Sequence, residues 1–231
     1  NYLIAITVIY LIVFYLKYFH FLADVKISRI LLVFVVSLTT YDINQLRFQL
    51  SLLFLLYSFI GPISRKKRLL LRVLSFFTHL LPVTVFYTSR LAYLPILFLP
   101  GLIAMMGVFD SRFSLYFVTV DFIPFKVFLL IIPNLLSIWY YRKKHQRNQI
   151  AELAISFTVL AVIFLPFYGL IAARFIEAGF LLFVLWFSLC NYNSKVVTGT
   201  LWFFALAMLA SRLTNSVNAG DNSFFDIVDQ P

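Results

Sequence analysis

Residues 41–90 read YDINQLRFQLSLLFLLYSFIGPISRKKRLLLRVLSFFTHLLPVTVFYTSR, and their reading decides the fold. An apolar run opens just behind Arg47. A basic loop follows at Arg65, Lys66, Lys67 and Arg68. A second apolar run then carries His79 near its middle. Two apolar runs joined by a short basic loop are the pattern of a membrane hairpin, whose basic loop stays on the cytoplasmic side. Ionisable groups inside such runs cost free energy, so Arg47 and His79 are the first candidates for function.

The rest of the chain has the same character. Of its 231 residues, 62% are hydrophobic, 19% aromatic and only 12% charged. Soluble domains hold about 25% charged residues, which sets this chain apart as a multi-pass membrane protein. Its net charge is +10, but eight of the 19 basic residues fall in two clusters. These are Arg65, Lys66, Lys67, Arg68 and Arg142, Lys143, Lys144, Arg147. In short loops such clusters set topology, and no nucleic-acid partner is expected from them. The single cysteine, Cys190, gives no disulfide framework. No Cys or His spacing suits a metal, so neither metal nor cofactor is expected. The chain begins at Asn1 inside an apolar run, and further N-terminal spans are expected to precede it.

A span needs about 20 apolar residues, or about 17 at the short end. Spans are expected near 2–18, 27–41, 46–61, 70–88, 126–141, 151–168, 171–190 and 195–212. The predicted fold is all-α and polytopic, a single helical domain over 1–212 with a polar tail over 213–231. Lys17, Lys26, Arg29 and Lys195 fall inside with both basic clusters, and the tail's Asp221, Asp226 and Asp229 fall outside. An even number of spans must then separate Arg68 from Arg142. Pro95, Pro100 and Gly101 interrupt the apolar sequence between them, because proline removes a backbone donor. The segment 94–125 is therefore expected to be a re-entrant or interfacial excursion on the outer face.

The candidate site residues gather toward that outer face. Arg47 opens one span and Arg174 lies early in another, while Arg90 ends a third. His79 lies about 14 Å along its span at 1.5 Å per residue. Gln45 and Gln49 make the start of the Arg47 helix polar. Arginine suits bidentate phosphate binding, so an outward cavity holding several would take an anionic lipid head group. Simpler roles compete: snorkelling for Arg90 and Arg47, an ion pair of Arg174 with Glu177 one turn on, and a backbone bond for His79.

Three short motifs carry a resemblance to a known family. They are Leu46-Arg47-Phe48-Gln49-Leu50-Ser51, then Phe77-Thr78-His79 beyond the basic loop, then Ala173-Arg174-Phe175-Ile176-Glu177. Together they resemble the EpsG/Wzy-type polymerases of O-antigen and exopolysaccharide repeat units, with Phe48 standing between the arginine and the glutamine. The resemblance implies a GT-C-like, all-helical glycosyltransferase in the bacterial inner membrane, independent of metal. It would join undecaprenyl-diphosphate-linked oligosaccharides at the outer face with inversion. Arg47, Arg90 and Arg174 would bind diphosphate, supported by Gln45 and Gln49, and His79 or Glu177 would act as base. Membrane lipid, a flippase and a chain-length regulator are the partners it implies. Two other functions remain open at this point: a transporter or flippase of the same anionic lipids, and a non-catalytic subunit of a larger membrane complex.

Overall fold

The computed structural model describes residues 25–40, 46–59, 63–78, 82, 85–86, 125–144, 148–165, 169–190 and 194–218. Within the helices it gives backbone alone at 38–40, 46–49, 125–126, 144, 169–171 and 212–218. The described residues form seven α-helices and no strand. In chain order these are α1 (Ile27–Thr40), α2 (Leu46–Tyr57), α3 (Arg65–Thr78), α4 (Phe125–Lys144), α5 (Gln149–Phe164), α6 (Gly169–Leu189) and α7 (Lys195–Asn218). The all-α expectation holds for them.

The helix starts follow from capping. Asn148 is extended, and its Oδ1 accepts from the Ile150 and Ala151 N–H groups at 2.9 and 3.3 Å, ahead of Glu152 in the first turn. Ser194 Oγ accepts from Val197 N–H at 3.3 Å, and Ser64 Oγ from Lys67 N–H at 3.4 Å. Each satisfies a donor that a helix start leaves without a partner.

α6 is the axis of the bundle. From Ala172 to Ser188 every residue but Arg174 is buried, as expected of a helix that is apolar on all sides. α5, α4 and α1 pack around it, and α7 leans on α1 and α4. Small residues let α5 approach closely: Ala151, Ala154, Thr158 and Ala161 recur along one side, and all are buried. Opposite them is Gly179, where an added Cβ would stand 2.7 Å from Thr158 Oγ1 and 3.2 Å from the Ala154 carbonyl. Such close approach gives the two helices dense van der Waals contact.

Contacts along α6 fix the helix directions. Phe157 and Phe164 of α5 meet Phe175 with ring centroids 5.9 and 5.5 Å apart, and Asn148 reaches Cys190 Sγ at 3.9 Å. α5 is therefore antiparallel to α6. Asn134 of α4 bonds the Ile176 carbonyl, and Tyr140 and Tyr141 meet Trp186 at 6.3 and 5.4 Å, so α4 runs parallel to α6. Arg29 opens α1 and stacks on Phe187 at 5.5 Å. A parallel α1 would run past the end of α6, so α1 is antiparallel. The starts of α1, α5 and α7 thus share one end of the bundle with the ends of α4 and α6. That end gathers Lys26, Arg29, Arg142, Lys143 and Lys195, as the sequence predicts for the cytoplasmic side.

α2 and α3 form a hairpin held by two buried serines. Ser51 Oγ donates to the Ser75 carbonyl at 2.8 Å, and Ser75 Oγ donates to the Ser51 carbonyl at 2.7 Å. The hydroxyls themselves lie 2.9 Å apart.

Three expectations shift. The basic residues 65–68 are not a loop but the first turn of α3, because Ser64 caps the helix there. Four cations at a helix start oppose its dipole, which conceals the start from a charge-based reading. α7 continues to Asn218, so the first residues of the polar tail expected from 213 are helical. Among the described residues only Ala172–Leu189 is by itself long and apolar enough to cross a membrane. α1, with 14 residues, is about 21 Å long, against a hydrocarbon core of about 30 Å. The span at 2–18 and, but for Phe125, the excursion at 94–125 lie outside the described residues.

Candidate functional site

The expected site residues divide by what the structure describes. Gln45, His79 and Arg90 lie outside the described residues. Arg47 and Gln49 fall in the first turn of α2, with backbone alone described. Arg174 and Glu177 are described in full, on the first half of α6. The meeting of Arg47 with Arg174 in one cavity is therefore a matter for experiment.

α6 sets the geometry of Arg174 and Glu177. Three residues of helix bring them onto one face, one above the other. Arg174 is half-buried, whereas Glu177 is 3% exposed. Neither side chain is free of partners. Phe175 and Gly179, which meet α5, each lie two residues from Glu177, so the carboxyl is roughly half a turn round the helix from that contact. It lies near mid-length, in the half of α6 away from the basic end of the bundle. Removing a carboxylate from water costs several kcal/mol unless it is paired or protonated. A guanidinium beside it can hold an anion or the carboxylate itself, and the carboxylate can accept a proton or orient a hydroxyl.

At the level of Glu177 but on the other side of α6 lies a buried polar layer. Asn134 is fully buried, and its Nδ2 donates to the Ile176 carbonyl at 3.1 Å. Its Oδ1 has no hydrogen-bond partner. Thr158 is buried too, and its hydroxyl donates to the Ala154 carbonyl of its own helix at 2.9 Å. The Asn134 amide nitrogen would stand 3.3 Å from a Cβ at Gly179. Asn134 ties α4 to α6 at mid-length, and Thr158 of α5 packs beside it against Gly179. Pro133 lies inside α4 immediately before Asn134, so one helical hydrogen bond is missing there.

Three residues take positions that the sequence reading did not give them. Asn134 follows a proline in the middle of an apolar run, and that Pro-Asn pair was its available signal. Arg29 was expected only as a marker of topology, yet it is 4% exposed and stacks on Phe187. Arg72 sits in the second turn of α3, with its Nε 3.4 Å from Ser58 Oγ and its guanidinium 5.2 Å from the Phe86 ring centre. Nothing in the run LLLRVLSFF separates it from a snorkelling arginine.

No group of three or more metal-ligating side chains occurs among the described residues. Compared with protein-family models, with curated proteins and with solved structures, the chain has no match.

Proposed function

We propose that this chain is a polytopic membrane protein of about eight spans that polymerises lipid-linked oligosaccharide repeat units at the outer face of a bacterial inner membrane. The observation that carries the reading is Glu177, buried near the middle of the central helix one turn from Arg174, in the half away from the basic residues. A membrane helix keeps an ionisable pair at such a place at a cost, and function is the usual reason.

The membrane part of the reading rests on the exposed side chains. Phe128, Ile132, Leu135 and Trp139 make an exposed apolar stripe down α4, and Val196, Phe203 and Leu206 are exposed on α7. The α4 stripe ends where Lys143 lies 5.4 Å from the Trp139 ring, a pairing suited to the head-group boundary. An apolar surface of this extent calls for lipid or a partner protein.

In the proposed reaction an acceptor hydroxyl oxygen bonds to the anomeric carbon of the donor sugar. The bond from that carbon to phosphate breaks, and its electron pair leaves with the lipid diphosphate. Arg174, with Arg47 and Arg90, stabilises that growing charge in a low-dielectric setting. The hydroxyl proton passes to Glu177 or His79. Glycan ladders formed in membranes carrying Arg174→Ala or Glu177→Gln test the assignment. Ladder synthesis should fall by about 10²–10³ for the arginine, as on loss of a preorganised charge donor. Normal ladders from both variants at ordinary expression would favour a non-catalytic subunit.

A further inference from the structure

α3 is covered along only one narrow strip. Ser75 is its buried residue, facing Ser51 of α2, while residues 65–70 and Val73, Leu74, Phe76 and Phe77 are all exposed. At 100° per residue Arg65, Leu69, Arg72 and Phe76 fall in one column, with Arg68 and Val73 beside it. Arg72 lies at the edge of the covered strip, where Ser58 and the Phe86 ring hold its guanidinium on one side.

These cations have no counter-charge from the described protein. The two acidic side chains among the described residues, Glu152 and Glu177, belong to α5 and α6. Arg65, Lys66, Lys67, Arg68 and Arg72 meet no carboxylate among the described residues. The helix dipole adds further positive potential at the same end. The apolar flank of the column is as open as its basic end: Leu69 is 61% exposed and Phe76 47%. A positive end that continues into an exposed apolar flank matches a molecule with an anionic head and an apolar tail.

We propose that the first half of α3 binds the phosphate of an anionic membrane phospholipid through Arg65, Arg68 and Arg72, with its acyl chains lying along Leu69, Val73 and Phe76. The guanidinium fork suits a phosphate better than an ammonium does. Arg72, half-buried and steadied by Ser58 and Phe86, reaches the phosphate from below while the two exposed arginines close over it. The site rests on the membrane reading above but not on the polymerase chemistry, and it lies on another helix from Arg174 and Glu177.

The test uses the full chain. Alkaline carbonate extraction first establishes integration: release into the soluble fraction would overturn the membrane reading and this site with it. The detergent-solubilised protein is then titrated with tail-labelled phosphatidylglycerol or phosphatidylcholine in mixed micelles, and binding is read by fluorescence anisotropy. Phosphatidylglycerol should bind at least about tenfold tighter. Each basic residue near a membrane surface contributes about fivefold, so Arg65→Gln, Arg68→Gln and Arg72→Gln together should cost about a hundredfold. Arg72→Lys should recover only part of the loss of Arg72→Gln. Arg142→Gln with Lys143→Gln, which removes charge elsewhere, should leave the affinity as it was. Equal affinity for the two lipids, an equal loss from the Arg142/Lys143 variant, or displacement by inorganic phosphate at the same concentration would each overturn the site.

Discussion

Gly179 shows how little room the bundle centre leaves. Alanine there would put a methyl group 2.7 Å from Thr158 Oγ1, closer than real Cβ contacts come. Thr158 cannot swing away without leaving the Ala154 carbonyl to which it donates. We therefore expect Gly179→Ala to cost about 1–3 kcal/mol, as overpacking does in tight cores. Adding Thr158→Ala to Gly179→Ala should restore part of that, because it removes the clashing hydroxyl. Unfolding of the two variants in mixed micelles measures the difference, and a double variant weaker than the sum of the singles would refute the packing argument. Glu177 gives the second expectation at this scale. Glu177→Gln keeps the size but removes the charge and replaces one acceptor oxygen with an NH2 donor. A purely structural carboxyl would tolerate it with activity intact, whereas a base would not. The amount of folded, inserted protein should stay near that of the unmutated chain while ladder synthesis falls.

At the level of helices, a serine pair lies buried in the α2–α3 hairpin. Ser51 and Ser75 are both fully buried and exchange hydroxyl-to-carbonyl bonds across the interface. Interhelical hydrogen bonds in membrane proteins average about 0.6 kcal/mol and reach about 1.7. Ser51→Ala and Ser75→Ala should each weaken the hairpin by an amount in that range. Each alanine leaves the partner's hydroxyl its carbonyl, so the double variant should lose roughly the sum of the two, less the coupling between the hydroxyls. A double-mutant cycle read from thermal unfolding in micelles gives that coupling, and a value indistinguishable from zero would mean that the two hydroxyls act independently. Ser75→Val should do more harm than Ser75→Ala, because its branches would push apart two helices that meet through small residues.

Across the whole molecule the decisive quantity is the sidedness of the basic end. α1, α4, α5, α6 and α7 alternate in direction so that Arg29, Arg142, Lys143 and Lys195 share one end. Cysteine labelling from each side of the membrane, in a Cys190→Ser background, checks the arrangement. Ser64→Cys and Ser194→Cys should react from the cytoplasmic side and Asn218→Cys from the other. Reaction of Ser64→Cys and Ser194→Cys from opposite sides would break both the topology and the phospholipid site on α3.

The sequence by itself determined the all-α character of the described residues and most of their helices. Apolar runs and basic clusters are local signals, and they placed α1, α2, α4, α5, α6 and α7 to within a few residues at most ends. It also singled out Arg174 and Glu177, because an ionisable residue stands out in an apolar run whatever surrounds it. The start of α3 was not legible, because the four cations that read as a loop are held in helix by Ser64 and by pairing with α2. Which helix sits at the centre was decided by tertiary structure alone. Hydropathy is nearly uniform around α4, α5, α6 and α7, so it cannot say that α6 is the enclosed one, nor that Gly179 touches Thr158. The same holds for Arg72 and Asn134: each is an ordinary polar residue until packing leaves one without a counter-charge among the described residues and the other with a buried carbonyl oxygen that has no hydrogen-bond partner.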